Sequence, residues 1–188
     1  MIYRRLFLYE SENSSITYQL NKFYQTVDYG TFLDGKRIVY SEDTWTDYVN
    51  DHIRLLSPQQ VYKYKIGTCY DTVNYTIHKL ELNSIPYRCY YATVSKYYDK
   101  ERIWGGPTHT FIICKENGKW QWVEGSWGKY MGYNYKWDNP DELLTFIYHC
   151  LKRAGQKYIR QILAYPKSGI RYRDFYKQMA MYKTILLR

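Results

Sequence analysis

The sequence lacks several features that would indicate particular classes of protein. Its 188 residues contain only four cysteines, and no two of them form a Cys-x-x-Cys pair. A zinc site made of clustered cysteine and histidine is therefore not expected, and no other metal site is indicated. No apolar run approaches the roughly 20 residues of a membrane-spanning helix, so we expect no membrane partner. Tandem repeats and linker-like stretches are also absent, which favours a single domain over residues 1–188.

The first ten residues contain no apolar stretch of the kind that directs export. The expected location is therefore the cytoplasm, where cysteines stay reduced. A reduced thiol is either packed in the core or chemically useful. The sequence gives no indication of the oligomeric state.

Acidic residues are in the minority, with 18 Asp and Glu against 27 Lys and Arg, so the formal net charge is +9. A basic protein attracts nucleic acid and acidic proteins. The basic residues are scattered, however, and nowhere form a run of five. This pattern favours a solvated surface over a dedicated binding face. Aromatic residues make up 20% of the chain and include 25 tyrosines, which fill a core while their hydroxyls bind polar partners.

Apolar spacing and turn residues predict an α+β domain. A strong hairpin signal, Asn117-Gly118, separates two segments rich in β-branched and aromatic residues. Together with the segment that follows Pro86, these predict a three-stranded antiparallel meander. Helices are expected over residues 13–27, 57–65, 69–83, 140–154 and 171–181, with partial helix over 42–56. Extended segments are expected over residues 30–33, 36–40, 87–94, 109–115, 119–124 and 159–164.

Cys69 is expected in the first turn of a helix. Exposed N–H groups and the positive end of the helix dipole stabilise a thiolate there, and the same N–H groups can bind an oxyanion. Gly67 leaves room beside the sulfur for substrate or backbone. Asp71 would oppose thiolate formation if it faced the sulfur, so we assign it to capping the helix and anchoring the turn.

His109 follows a glycine-rich stretch, Gly105-Gly106-Pro107, and begins a predicted strand. From that place it can take the proton of a cysteine and later return it to a leaving group. With Asn117 and Gly118 as the turn, His109 lies opposite Ser126, and Glu124 lies diagonally on the same face. Glu124 can therefore orient the imidazole and stabilise its charged form.

The order Gly-x-Cys-x-Asp, Thr-His-x-Phe, Trp-x-Glu over residues 67–71, 108–111 and 122–124 resembles the core of the transglutaminase-like superfamily, which has a papain-like fold. The spacings, 40 residues from Cys69 to His109 and 15 from His109 to Glu124, are similar to that core. The segment Ile-Pro-Tyr-Arg at residues 85–88 also looks like the family's entry into its first strand. The resemblance covers about residues 57–127, with helical flanks on both sides, and is closest to small uncharacterised bacterial and phage members. One departure is the glutamate at 124, where aspartate is common.

The resemblance implies a central cysteine-bearing helix packed on an antiparallel sheet that carries the histidine and the acid. It further implies a cysteine-dependent acyl-transfer enzyme acting on a protein or peptide by amide hydrolysis, deamidation or transamidation. Cys69 would be the nucleophile, His109 the general base and acid, and Glu124 the orienting acid. No cofactor is needed for this chemistry. Gly67, Thr108 and Trp127 are further expected to line the substrate cleft.

The alternative is a non-catalytic binding protein on the same fold, which uses a basic, aromatic surface to bind nucleic acid or an acidic protein partner. Interleaved tyrosine and lysine at residues 62–65 could stack on bases and contact phosphates. An amphipathic helix leading into the Cys69 turn explains the same four residues, so nucleic acid is the less favoured partner. Cys89 and Cys114 lie in predicted strands and are expected to serve the core. His149 and Cys150 are expected on different faces of their helix, so they do not form a catalytic pair.

Overall fold

The computed structural model describes residues 15–41, 43–44, 46–94, 108–128, 136–180 and 184–185, which form an α+β fold. The glycine-rich stretch Gly105-Gly106-Pro107 lies outside these residues, and so does Trp104. The helices are α1 (Ile16–Tyr24), α2 (Asp47–His52), α3 (Pro58–Tyr64), α4 (Cys69–Leu82), α5 (Pro140–Arg153) and α6 (Tyr172–Ala180). The strands are β1 (Asp28–Leu33), β2 (Lys36–Val39), β3 (Ile66–Gly67), β4 (Tyr87–Thr93), β5 (His109–Glu116), β6 (Lys119–Val123), β7 (Tyr158–Ile162) and β8 (Thr184–Ile185).

Local signals explain where the elements leading to the site begin and end. Ser57 and Gln60 form a reciprocal capping box at the start of α3, the helix expected over residues 57–65. Lys65 then adopts the left-handed conformation, with a φ of 51°, and ends that helix. The chain then passes through β3 directly into α4. The short segment that leads to Cys69 is therefore held by a helix at each end.

A five-stranded antiparallel sheet, in the order β6-β5-β4-β7-β8, carries the histidine strand near its centre. The predicted meander of β4, β5 and β6 is confirmed. Its hairpin register is confirmed too, since Ile112 pairs with Val123 and Glu116 with Lys119. Asn117 and Gly118 both have positive φ, the backbone of the two-residue hairpin turn that Asn-Gly favours.

Alternation along β4 and β5 divides the core between the two sides of this sheet. Cys89 and Ile112 face a cluster that includes buried residues of α1, α3, α4 and α6. Tyr90 and Phe111 face the opposite way, into a second cluster formed with α5. Helices therefore cover both sides of the sheet, and α4 packs against β5.

The second sheet was predicted only in part. The hairpin of β1 and β2 is confirmed, and Asp34 and Gly35 form its turn with positive φ. The parallel pairing of β1 with β3 was not predicted, because β3 has only two residues and no periodicity. The expected strand over residues 159–164 is confirmed as β7, so the flanks contain strands as well as helices. Within the described residues, no helix combines the length and the apolar character needed to cross a bilayer.

Candidate active site

Cys69 is the first residue of α4, as its sequence context predicts, and its side chain is buried. Thr68 precedes it as the N-cap with an extended backbone. Because the first N–H groups of a helix have no acceptor within the helix, the N–H of Cys69 is suited to bind a negatively charged oxygen. The sulfur and a potential oxyanion donor thus belong to the same residue.

His109 and Glu124 meet at the end of the sheet where β5 begins. The Nε2 atom of His109 lies 2.8 Å from a carboxylate oxygen of Glu124, and both side chains are buried. The register of β5 and β6 places these residues on the same side by alternation, which is why the two side chains can reach each other. The structure therefore confirms the expected proximity of the histidine and the acid.

The other carboxylate oxygen of Glu124 is held by the loop that follows it. It accepts hydrogen bonds from the N–H and the hydroxyl of Ser126, at 2.9 and 3.1 Å, and from the N–H of Trp127, at 2.9 Å. Burial alone would raise the pKa of Glu124, but His109 and these backbone donors lower it below its ordinary value. The acid is therefore held ionised and in one orientation.

The side chain of Cys69 interacts with the imidazole of His109 closely enough to affect the pKa of that ring. Since Nε2 is engaged by Glu124, we assign Nδ1 as the nitrogen that faces the sulfur. Burial alone would lower the pKa of His109, but the charge of Glu124 and the hydrogen bonds with Cys69 and Glu124 raise it to about 10. The surroundings thus favour imidazolium, which is the partner that a thiolate requires.

Asp71 caps the helix and points its carboxylate at donors, as its assignment to capping predicts. The carboxylate accepts the N–H of Thr68 and the N–H of Leu56, each at 2.8 Å. The hydroxyl of Tyr172 donates to it as well, at 2.5 Å. Burial raises the pKa of Asp71, although each of these hydrogen bonds acts to lower it.

The three residues expected in the cleft lie beside this array. Gly67 is buried in β3, and a Cβ atom there would lie 3.0 Å from the Cβ of Asp71, so the lack of a side chain accommodates the capping residue. Thr108 is half-buried, and its hydroxyl lies 2.6 Å from that of Tyr70. Trp127 is half-buried and packs edge-on against the imidazole of His109, with ring centroids 5.6 Å apart. Contact of these residues with substrate remains a prediction.

Sequence reasoning missed Gly125, Ser126 and the tyrosines that surround Cys69. A Cβ atom on Gly125 would lie 2.7 Å from the Cβ of Thr72 and 2.9 Å from the ring of Tyr24, so only glycine lets the acid loop approach α4 this closely. The sequence signal that could have identified Gly125 and Ser126 is their position directly after Glu124, at the end of the hairpin. Tyr172 gave no local signal, because its hydroxyl acts on residues about 100 positions away.

The other cysteines are buried away from this array. Burial raises the pKa of Cys89 well above its ordinary value and that of Cys114 to about 12, in line with the expected core role. Cys150 is buried in α5, whereas the neighbouring His149 is exposed, so the two face different ways. Within the described part of the chain, no group of three or more His, Cys, Asp or Glu side chains is arranged to hold a metal ion.

Comparison with known proteins adds no relative to this description. No protein-family model matches the sequence, and no curated protein sequence matches it.

Proposed function

We propose that this chain is a cysteine-dependent acyl-transfer enzyme. One observation carries the proposal: the imidazole of His109 is bound by Glu124 through Nε2 and interacts with the sulfur of Cys69. A nucleophile, a base and a group that orients the base form the arrangement that covalent acyl transfer requires. The position of the nucleophile at a helix N-terminus supplies the fourth part, a donor for the oxyanion.

The first half-reaction forms an acyl-enzyme. His109 takes the thiol proton of Cys69, and the thiolate attacks the carbonyl carbon of an amide or a similar acyl group. A carbon–sulfur bond forms, and the carbonyl oxygen becomes an oxyanion that the N–H of Cys69 stabilises. The oxyanion then collapses and the bond to the leaving group breaks. His109 donates its proton to that leaving group, an amine in the case of an amide.

The second half-reaction releases the acyl group. His109 removes a proton from the incoming acceptor, which attacks the thioester carbonyl, and the sulfur leaves as thiolate that recovers the proton. Water as acceptor gives hydrolysis or deamidation, and an amine gives transamidation. Glu124 keeps its charge throughout and stabilises the imidazolium that forms in each half-reaction.

The papain-like core implied by the sequence resemblance is part of the proposal. A helix that begins with the cysteine packs on an antiparallel sheet whose strands bring in the histidine and then the acid, in that chain order. Protein or peptide is the proposed substrate class, by the same resemblance. The cytoplasmic location also remains an expectation from the sequence.

The non-catalytic alternative ranks second because its strongest motif has packing partners within the chain. The ammonium group of Lys65 lies 4.1 Å from the ring centroid of Phe23 and 4.3 Å from that of Tyr62. Lys63 likewise lies over the ring of Tyr64. These cation–π contacts give the tetrapeptide a structural role, so its composition is explained without a nucleic-acid ligand.

Pre-steady-state kinetics with p-nitrophenyl acetate test the proposal. Wild type is expected to release about one equivalent of nitrophenolate in a burst, followed by slower turnover, which is the signature of an accumulating acyl-enzyme. The variant Cys69→Ala should show no burst, whereas Cys150→Ala, a matched change of another buried cysteine, should keep it. Addition of methylamine then separates transfer from hydrolysis, since an amine acceptor yields the amide product. A wild type without a burst, or a burst that persists in Cys69→Ala, would contradict the proposal.

A further inference from the structure

The loop between β7 and α6 lies against the turn that carries Cys69. The hydroxyl of Tyr165 donates to the carbonyl oxygen of Tyr70 at 2.8 Å, and the side-chain amide of Asn74 donates to the hydroxyl of Ser168 at 3.1 Å. The same loop is anchored by backbone hydrogen bonds to the chain that precedes α3. These bonds join Leu55 N to Ile170 O, Gly169 N to Leu55 O and Tyr172 N to Ile53 O. The loop that leads into α6 is thus hydrogen-bonded to the segments on either side of the nucleophile turn.

Tyr172 makes the most direct connection between this loop and the nucleophile. Its hydroxyl donates to the carboxylate of Asp71 at 2.5 Å and lies 2.6 Å from the hydroxyl of Thr68. Thr68 immediately precedes Cys69, and Asp71 follows it by two residues. All three side chains of this network are buried, so water does not replace a missing partner at low cost.

The network controls the geometry around the sulfur. Asp71 binds the N–H of Thr68, so the carboxylate fixes the direction in which α4 begins. The Tyr172 hydroxyl holds that carboxylate in place from the side of α6. His109, Tyr165 and Tyr172 are ionisable side chains that interact electrostatically with Cys69.

We propose that Tyr172 is a positioning residue for Cys69, acting through Asp71 and Thr68. This inference rests on the proposed function and extends the functional unit beyond residues 57–127, to the start of α6. The ring of Tyr172 packs edge-on against Tyr70, with centroids 5.0 Å apart, so Tyr172→Phe removes the hydroxyl while it keeps the packing.

Alkylation of Cys69 by iodoacetamide, measured from pH 5 to 9, tests this role in the folded full chain. A paired thiolate reacts at pH 6, whereas a free cysteine titrates near a pKa of about 8.5. Loss of a hydrogen bond to a charged group corresponds to about a tenfold change. We therefore expect Tyr172→Phe to lower the rate constant at pH 6 by about tenfold and to move the rate profile toward that of a free cysteine.

Tyr87→Phe is the matched control. The hydroxyl of Tyr87 also donates to a carboxylate on α4, that of Glu81, but at the far end of the helix. Its profile should coincide with wild type. A second pair of variants keeps the test valid if Tyr172→Phe does not fold. Thr68→Ser retains the hydroxyl, so its Cys69 should be alkylated at the wild-type rate. Thr68→Val lacks the hydroxyl, so its rate constant at pH 6 should fall as expected for Tyr172→Phe.

The outcomes separate this inference from the proposed function. The positioning role is supported if wild-type Cys69 is alkylated at pH 6 faster than a free cysteine and if Tyr172→Phe or Thr68→Val lowers that rate constant. An activated wild type with unchanged profiles in the folded hydroxyl-deleted variants overturns the role of Tyr172 and leaves the proposed function intact. A wild-type Cys69 that titrates as a free cysteine overturns both.

Discussion

Replacing Glu124 with glutamine removes one charge from the array while it nearly preserves the shape of the side chain. The carboxylate serves two sets of partners: one oxygen binds Nε2 of His109, and the other accepts three hydrogen bonds from Ser126 and Trp127. A glutamine side chain has only one oxygen. It therefore satisfies one set of partners and turns an NH₂ group toward the other.

The three donors decide which way the glutamine faces. Its oxygen should remain with Ser126 and Trp127, because an NH₂ group there would meet three donors and leave them unsatisfied. The NH₂ group then faces Nε2 of His109, which must accept a hydrogen bond. The imidazole proton consequently moves to Nδ1, the nitrogen that faces Cys69, so the ring cannot act as a base toward the sulfur.

Removing one charge from a buried ion pair costs about 3–5 kcal/mol. If about 3 kcal/mol of this stabilises imidazolium, the alkylation rate constant of Cys69 at pH 6 should fall by about 100-fold, at about 1.4 kcal/mol per factor of ten. Glu124→Asp keeps the charge with a shorter reach and should show a smaller loss. The assay is iodoacetamide alkylation of Cys69, with the labelled peptide quantified by mass spectrometry.

The same substitution should change stability in a pH-dependent way. The pKa of His109 is raised from its ordinary 6.5 to about 10, so the stabilisation that it gains from Glu124 is fully present below pH 6.5 and declines as the pH rises toward 10. The pKa of Glu124 is lowered from 4.5, so its contribution is present above pH 4.5 and is lost in acid. Urea unfolding should therefore show the largest destabilisation of Glu124→Gln between about pH 4.5 and 6.5.

Glu116→Gln is the matched control for this prediction. Glu116 is also buried, and its carboxylate accepts hydrogen bonds from Ser15, Ile16 and Thr17 at the start of α1. Its neutralisation should lower stability without changing the pH profile of Cys69 alkylation. If Glu124→Gln reacts at pH 6 as fast as wild type, the argument from charge and tautomer is refuted.

Three further predictions follow from the surroundings of the site. At pH 6, iodoacetamide should label Cys69 before Cys89 and Cys114, whose burial raises their thiol pKa values; earlier labelling of either would count against activation. Gly125→Ala should lower the free energy of unfolding by about 1–3 kcal/mol in urea titrations, because its methyl group would collide with α4. Gly128→Ala, where a Cβ atom meets no neighbour within 4 Å, should have a much smaller effect. Binding to DNA or RNA should be weaker than about 1 μM at roughly 150 mM salt, because scattered surface charges lose affinity steeply as salt rises; a selective nanomolar complex would favour the binding alternative.

The local sequence predicted the parts of the site that depend on short-range rules. Asn117 and Gly118 set the hairpin register, and that register brings His109 and Glu124 together. Ser57 and Gln60 set the start of α3, and the spacing after Cys69 predicted α4. In each case, turn geometry, capping or apolar spacing acts over a few residues.

The unpredicted parts depend on contacts between distant segments. Tyr172 and Asp71 are 101 residues apart in the chain, and no periodicity or motif relates them. Glu116 binds the first N–H of α1 across 100 residues, and its sequence position marks only the end of a strand. The pairing of β3 with β1 involves just two residues of β3. Such contacts depend on how the sheet and helices pack, which spacing alone does not encode.

The central claim is that Cys69 carries an acyl group during the reaction, and intact-protein mass measurement tests it most directly. Protein mixed with an excess of p-nitrophenyl acetate and quenched in acid within the burst should gain the mass of one acetyl group, and peptide mapping should place that group on Cys69 as a thioester that hydroxylamine removes. Cys69→Ala should gain no such group. An acetyl group found on lysine or on another cysteine, with Cys69 unmodified, would contradict the account.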